Sequence, residues 1–222
     1  MGVRALGVAM RLYYYRRMSI ARLSRRAVLR MAGVVLVFAS LAGCLSTETS
    51  VSLRANGSGT IDLVYRIDRQ AWEIGVFDES DVARPIPVTH QEFEDAALRI
   101  DGLRLRSHRI SLGDDLVTVT ARLDFDDPAT LQRFLGADTL DVRLEADGGY
   151  WRQTVAGGQG VAGAGALAQS LSMYSMRFAL DPPRSIISTN GELARGTASA
   201  TYALSLADVV TATEPVVWEV RW

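Results

Sequence analysis

From Val117 to Phe125 the chain alternates apolar and polar residues without a break: Val117, Val119, Ala121, Leu123 and Phe125 on one parity, and Thr118, Thr120, Arg122 and Asp124 on the other. A period of two places the first set on one face of a β-strand and the second set on its opposite face. A helix would scatter those five apolar residues around its circumference. The pattern recurs along the chain and restricts it to strands with one buried and one wet face, as antiparallel sheets have.

The other strands follow the same rule. Val51 and Leu53 precede Asn56-Gly57-Ser58-Gly59, after which Ile61, Leu63, Tyr65 and Ile67 resume the alternation. Asn-Gly between two alternating runs is a hairpin signal. Leu103 and Leu105 lie on one parity and Ile110 and Leu112 on the other, which predicts a bulge near His108. Gly113-Asp114-Asp115 then turns the chain. Leu140, Val142 and Leu144 lead through Gly148-Gly149 to Trp151, Gln153 and Val155. Met176, Phe178 and Leu180 form a later strand, and Val216, Trp218, Val220 and Trp222 close the chain. Between these, Ile186-Ile187 and Ala198 to Leu204 read as a hairpin turned by Asn190-Gly191.

Two helices have readable starts. Thr89-His90-Gln91-Glu92 matches a capping box, followed by Phe93, Ala96, Ala97 and Ile100 as an apolar face. Asp127-Pro128 supplies an N-cap and a proline at the first helical position, with Leu131, Phe134 and Leu135 facing inward. The fold class is therefore α+β: mainly antiparallel sheet, with two or three short helices packed on one face. A single domain over residues 51–222 is expected, with no internal repeat.

The N-terminal region is of another kind. Residues 32–42 carry no charge, and the only charges before them are eight arginines. A basic start, a short apolar run and a small-residue cleavage region make a secretory signal peptide, here residues 1–43. The run is too short to span a bilayer, which takes about 20 apolar residues. It ends at Leu41-Ala42-Gly43-Cys44, and Cys44 is the sole cysteine of the 222 residues. That tetrapeptide resembles the bacterial lipobox, in which the cysteine sulfur receives a diacylglycerol and the cysteine becomes the new N-terminus. A thiolate is the reactive nucleophile such a transfer needs. Residues 44–50 are expected to be the lipidated cysteine and a short tether. Ser24-Arg25-Arg26-Ala27-Val28-Leu29-Arg30 also resembles a twin-arginine export signal. Either Met1 or Met18 could open such a leader. Membrane attachment through lipidated Cys44 is thus the expected partner contact, at the outer membrane or the periplasmic face of the inner membrane.

Removing the leader changes the charge argument. The whole chain is at −1, but residues 44–222 hold 16 arginines against 25 acidic residues, a net charge of −9. An acidic domain argues against nucleic-acid binding.

The residues that chemistry would require are sparse. His90 falls within a capping box, and His108 falls on a strand between Arg106 and Arg109. Neither belongs to a zinc-binding helix motif or accompanies a serine elbow. No dinucleotide fingerprint follows a strand, so no cofactor and no catalytic residue is expected. Asp124, Asp126 and Asp127 have spacing that a magnesium or calcium site could use. Asp124 lies on the polar parity of its strand and Asp127 caps a helix, so no metal site is expected there.

Residues 153–176 run 24 positions without a charge. Five glycines fall between residues 157 and 165, and the part that follows allows a short helix with Leu167, Leu171 and Tyr174 on one face. Two readings stand: a loop and helix packed on the sheet, or a lid that meets acyl chains.

Several of these pieces together resemble the LppM-like bacterial lipoproteins: Cys44 in its lipobox, the Asn56-Gly57-Ser58-Gly59 hairpin, and the Phe125–Leu135 segment entering a helix. Pro182-Pro183-Arg184-Ser185-Ile186-Ile187-Ser188-Thr189-Asn190-Gly191, with a strand ending in tryptophan after it, completes the set. The resemblance implies an envelope lipoprotein with an α+β domain, and glycolipid binding in some members. Some members carry a C-terminal membrane helix, which is not expected here. The reading is a non-catalytic, acyl-anchored envelope protein that binds a lipid, a glycolipid or an envelope protein. An assembly factor recognised through a sheet edge is the alternative, and a hydrolase the third.

Overall fold

A computed structural model describes residues 45–73, 87–156, 168, 171–172, 174–194 and 198–222. Strand β1 (Leu45–Leu53) pairs with β2 (Gly59–Asp68) in a hairpin, Leu45 opposite Ile67. At its turn Asn56 Oδ1 accepts hydrogen bonds from the Ser58 backbone N–H and hydroxyl, and Gly57 adopts a φ of +85° that other residues resist. The expected tether is corrected here. Residues 45–50 already belong to β1, because every one of them has a paired partner on β2.

Helix α1 (Arg69–Glu73) follows β2, and α2 (His90–Arg99) precedes β3 (Leu103–Leu112). The α2 capping box is complete. Thr89 Oγ1 accepts from Glu92 N–H, and the Glu92 carboxylate accepts from Thr89 N–H at 2.8 Å. Phe93 and Ala96 are buried on its inner face. β3 pairs with β4 (Leu116–Phe125), and the register slips between Leu105 and Ser107. The bulge therefore sits at Arg106, close to where the parity switch places it. Helix α3 (Pro128–Leu135) starts on Asp127, whose carboxylate accepts from Thr130 N–H at 2.7 Å.

β5 (Leu140–Glu145) and β6 (Gly148–Ala156) form the next hairpin. They are followed by β7 (Ser175–Asp181), β8 (Ser188–Thr189), β9 (Glu192–Leu193), β10 (Ala200–Ser205), α4 (Leu206–Thr211) and β11 (Val216–Arg221). The strands form a mainly antiparallel α+β fold, with four short helices among the described residues. They divide into two sheets, not one: β3-β4-β2-β1-β7-β10-β9 and β5-β6-β11-β8. β1 and β7 pair in parallel, Thr47 opposite Met176, although more than 120 residues separate them in the chain.

The expected Asn190-Gly191 hairpin is also corrected. β8 pairs with β11 and β9 with β10, so Asn190-Gly191 carries the chain from one sheet to the other. Asn190 substitutes for a strand residue in the second sheet: its Nδ2–H donates to the Val217 carbonyl (2.7 Å) and its Oδ1 accepts from Glu219 N–H (2.8 Å). At Gly191 a Cβ would run into the Thr201 carbonyl oxygen and lie 2.9 Å from Trp218 Nε1, so the crossing admits no side chain. The sheets share one core in which Ile61, Val119, Leu123, Trp151, Trp218 and Val220 are all buried.

Candidate functional site

Cys44 and Leu167 lie outside the described residues, and the chain enters the structure one residue after Cys44, already in β1. Leu171 is 2% exposed, and Tyr174 is half-buried. The Tyr174 N–H donates to the Leu171 carbonyl at 3.2 Å, and the Tyr174 carbonyl accepts from Leu206 N–H at 2.9 Å. Tyr174 is thereby held at the junction of β7, β10 and α4. The burial of Leu171 makes it a packed residue.

The aspartates of the D-x-D-D cluster point to separate tasks. Asp124 accepts from Arg106 at 2.5 Å, Asp126 takes a two-pronged contact from Arg104, and Asp127 caps α3. The Arg104 hydrogen bond holds the Asp126 carboxyl below the usual carboxylate range, and hydrogen bonds from Thr130 do the same for Asp127. Arg122 reaches Asp62 at 2.6 Å on the same outer face, completing a row of paired charges across β3, β4 and β2. The carboxylates are already matched by cations and by a helix end.

His108 belongs to β3, and its Nε2–H donates to the Val88 carbonyl just before α2 at 2.9 Å. Its ring lies 5.4 Å from Phe93 and 5.5 Å from His90, centroid to centroid. His90 faces Glu94 one helical turn on at 3.2 Å. Among the described residues neither histidine is bonded to a serine or threonine hydroxyl. His108 thereby joins β3 to α2, while His90 stays largely exposed.

Two polar clefts assemble from strands that are distant in sequence. One, of about 320 Å³, is lined by Arg177, Asn190, Glu192 and Tyr202, where the chain crosses between the sheets. Among the described residues, Arg177 and Glu192 have no ion partner. The other, also about 320 Å³, lies on the outer face of the four-stranded sheet, with Arg143, Glu145, Tyr150 and Arg221 on its walls. There the Arg221 guanidinium stands 5.6 Å from the centre of the Tyr150 ring, within cation–π range. The Tyr150 hydroxyl donates to Glu219 at 3.1 Å, and burial together with that carboxylate pushes the phenol up. Neither cleft was legible in the sequence, because each residue there occupies an ordinary polar strand position.

Among the described residues, the large apolar side chains exposed on the surface are Leu98, Ile110, Leu112, Leu116, Ile187 and Leu193. Three of these, Ile110, Leu112 and Leu116, belong to the β3–β4 hairpin. Its turn is clamped: Arg69 donates from its backbone N–H to the Asp115 carbonyl (2.9 Å) and from its guanidinium to the Gly113 carbonyl (2.7 Å).

No family model matches the chain, and no curated protein matches it. Among solved structures the chain is similar to the folded domain of LppM from Mycobacterium tuberculosis, determined by NMR. The likeness covers 80% of this chain and 88% of that one, at 9% identity and a TM-score of 0.44. At that score it carries no argument about function.

Proposed function

We propose that the chain is an acyl-anchored bacterial envelope lipoprotein whose α+β domain binds rather than catalyses. The observation that carries this reading is the lipobox itself: Leu41-Ala42-Gly43-Cys44 closes a basic-then-apolar leader and supplies the only cysteine. Burying the acyl chains at about 0.8 kcal/mol per CH₂ gives stable residence only when two or more chains insert, as a diacylglycerol provides. The domain's ligand is a lipid or glycolipid headgroup. The cleft holding Arg177 and Glu192, two charges without ion partners among the described residues, supports a polar ligand of that size. The second reading, an assembly factor, is favoured by one feature. Among the described residues β3 is a ten-residue edge strand whose outer side has no strand partner, a template for strand addition.

Detergent phase partition and intact mass of the full-length protein test the anchor. The wild type enters the detergent phase at the mass of a cleaved, acylated chain, and Cys44→Ser remains an unacylated precursor in the aqueous phase. Normal processing and acylation of the Cys44→Ser protein would overturn the reading.

A further inference from the structure

We infer that the β3–β4 hairpin tip, with Ile110, Leu112 and Leu116, is a membrane-contact surface, and that the domain rests on the lipid bilayer with this end of its larger sheet downward. This rests on the lipid-anchored reading above. The register places both features in one row: Leu45 faces Ile67, Ile67 faces Val117, and Val117 faces Leu112. Three strand spacings separate Leu45 from Leu112, about 14 Å across the sheet. Cys44 is one peptide bond before Leu45, about 3.8 Å from Cα to Cα. Leu45 is itself a paired strand residue, so no slack intervenes between the anchor and the sheet. An anchor held this close brings the same end of the sheet to the lipid surface.

That end is built for such a contact. Leu112 is 61% exposed and Leu116 46%, one on either side of the turn with Ile110 close by, so the exposed apolar side chains are grouped at this tip. Arg69 holds the turn from its backbone and its side chain, so the leucines project from a braced hairpin. Asp114 and Asp115 at the turn meet the ammonium groups of zwitterionic headgroups, which keeps insertion shallow. Trp72 on α1 and Tyr174 before β7, both half-buried aromatics, lie at the same end. Such rings favour the membrane–water boundary.

The opposite end differs. Leu193 is 59% exposed, nearly as much as Leu112, but it faces Ala200, which faces Leu180, which faces Val51. Its row lies six residues along β1 from Leu45, about 20 Å away. The Arg104–Asp126 ion pair and the Asp127 cap also occupy that end.

The test uses the full chain with its leader, produced in a bacterial host and reconstituted into phosphatidylcholine vesicles. Single cysteines at Leu112→Cys, Leu116→Cys and Leu193→Cys carry an environment-sensitive fluorophore. An acylated Cys44 sulfur takes no label, so labelling of the wild type reads the anchor independently. Emission should shift to the blue, and spin-labelled lipid should quench it, at positions 112 and 116 but not at 193. Unquenched, water-like emission at 112 and 116 in an acylated protein would overturn the docking surface and leave the anchor standing; so would equal quenching at 193. Wild-type protein that takes up label shows an unacylated Cys44, and then the anchored reading and the docking surface fall together.

Discussion

The two sheets fill their inner faces with different materials. The seven-stranded sheet repeats aliphatic residues at every second position of its central strands: Val51, Ile61, Leu63, Ile67, Val117, Val119 and Leu123 are all buried. The four-stranded sheet uses fewer and larger groups, Trp151 and Trp218, with Trp222 just beyond β11. The indole N–H groups of these three tryptophans are buried without an acceptor among the described residues. A buried donor left unmatched costs about 1–3 kcal/mol, so the packing of the rings has to outweigh it. Trp218 explains how. Its ring meets Trp151 edge-on at 5.9 Å within its own sheet, stacks on Tyr202 at 6.1 Å, and lies 6.3 Å from Phe178. Tyr202 and Phe178 belong to the larger sheet. One sheet distributes its stability over many equivalent side chains, whereas the joint between the sheets depends heavily on one.

The largest effect tests that joint. Trp218→Ala should cost about 3–5 kcal/mol in chemical denaturation. Its calorimetric transition should broaden or split as the small sheet loosens from the large one. Leu123→Ala, equally buried, should cost about 2–5 kcal/mol and keep a single transition. A single sharp transition in the Trp218→Ala protein would mean that the sheets are joined elsewhere.

Next in size is Gly191→Ala, at the crossing. The added methyl has to displace the Thr201 backbone or the Trp218 ring, and overpacking of that kind costs about 1–3 kcal/mol. Urea midpoints would measure it, and wild-type stability would show that the crossing has room to relax.

Asp127→Ala should cost about 1 kcal/mol through the lost cap of α3. Its pH dependence has a definite sign. The folded state holds the Asp127 carboxyl below its ordinary value, so the cap's contribution is present above the unfolded value of about 3.9 and fades as pH falls through the folded one. Wild type and variant should therefore converge in stability in strong acid. A gap that persists there would show that the hydrogen bonds do not need an ionised carboxylate.

The smallest effect belongs to the outer face of the large sheet. Arg122 and Asp62 are paired but exposed, so Arg122→Ala should shift the urea midpoint least of all these variants, and less still at high salt. A loss as large as that of Leu123→Ala would overturn the view that the large sheet is stabilised from its inner face.

Local chemistry was legible where a residue's task is completed by near neighbours. The Thr89 capping box, the Asp127-Pro128 helix start and the Asn56-Gly57 turn each involve partners within four residues, and all three form as the sequence predicts. Helix α4 was missed for a comparable reason. Its box uses Asp208 in place of the usual glutamate or glutamine, and Leu206, Val209 and Val210 look like a continuation of β10. Helix α1, at five residues, is too short to show a helical period. Asn190-Gly191 misled because its dipeptide specifies a turn but not which strands the turn connects.

What the sequence determined by itself is the strand-dominated α+β class and the parity of each strand's buried face. These follow from alternation, caps and spacing, all of them short-range. The tertiary structure alone decided that the strands form two sheets, that β1 and β7 run parallel, that β1 begins at Leu45, and that Arg177 and Glu192 line one cleft. Strand pairing is settled by which faces bury best against each other after distant segments meet. A period of two records that a strand has a buried face, but it carries no label for the partner that covers it.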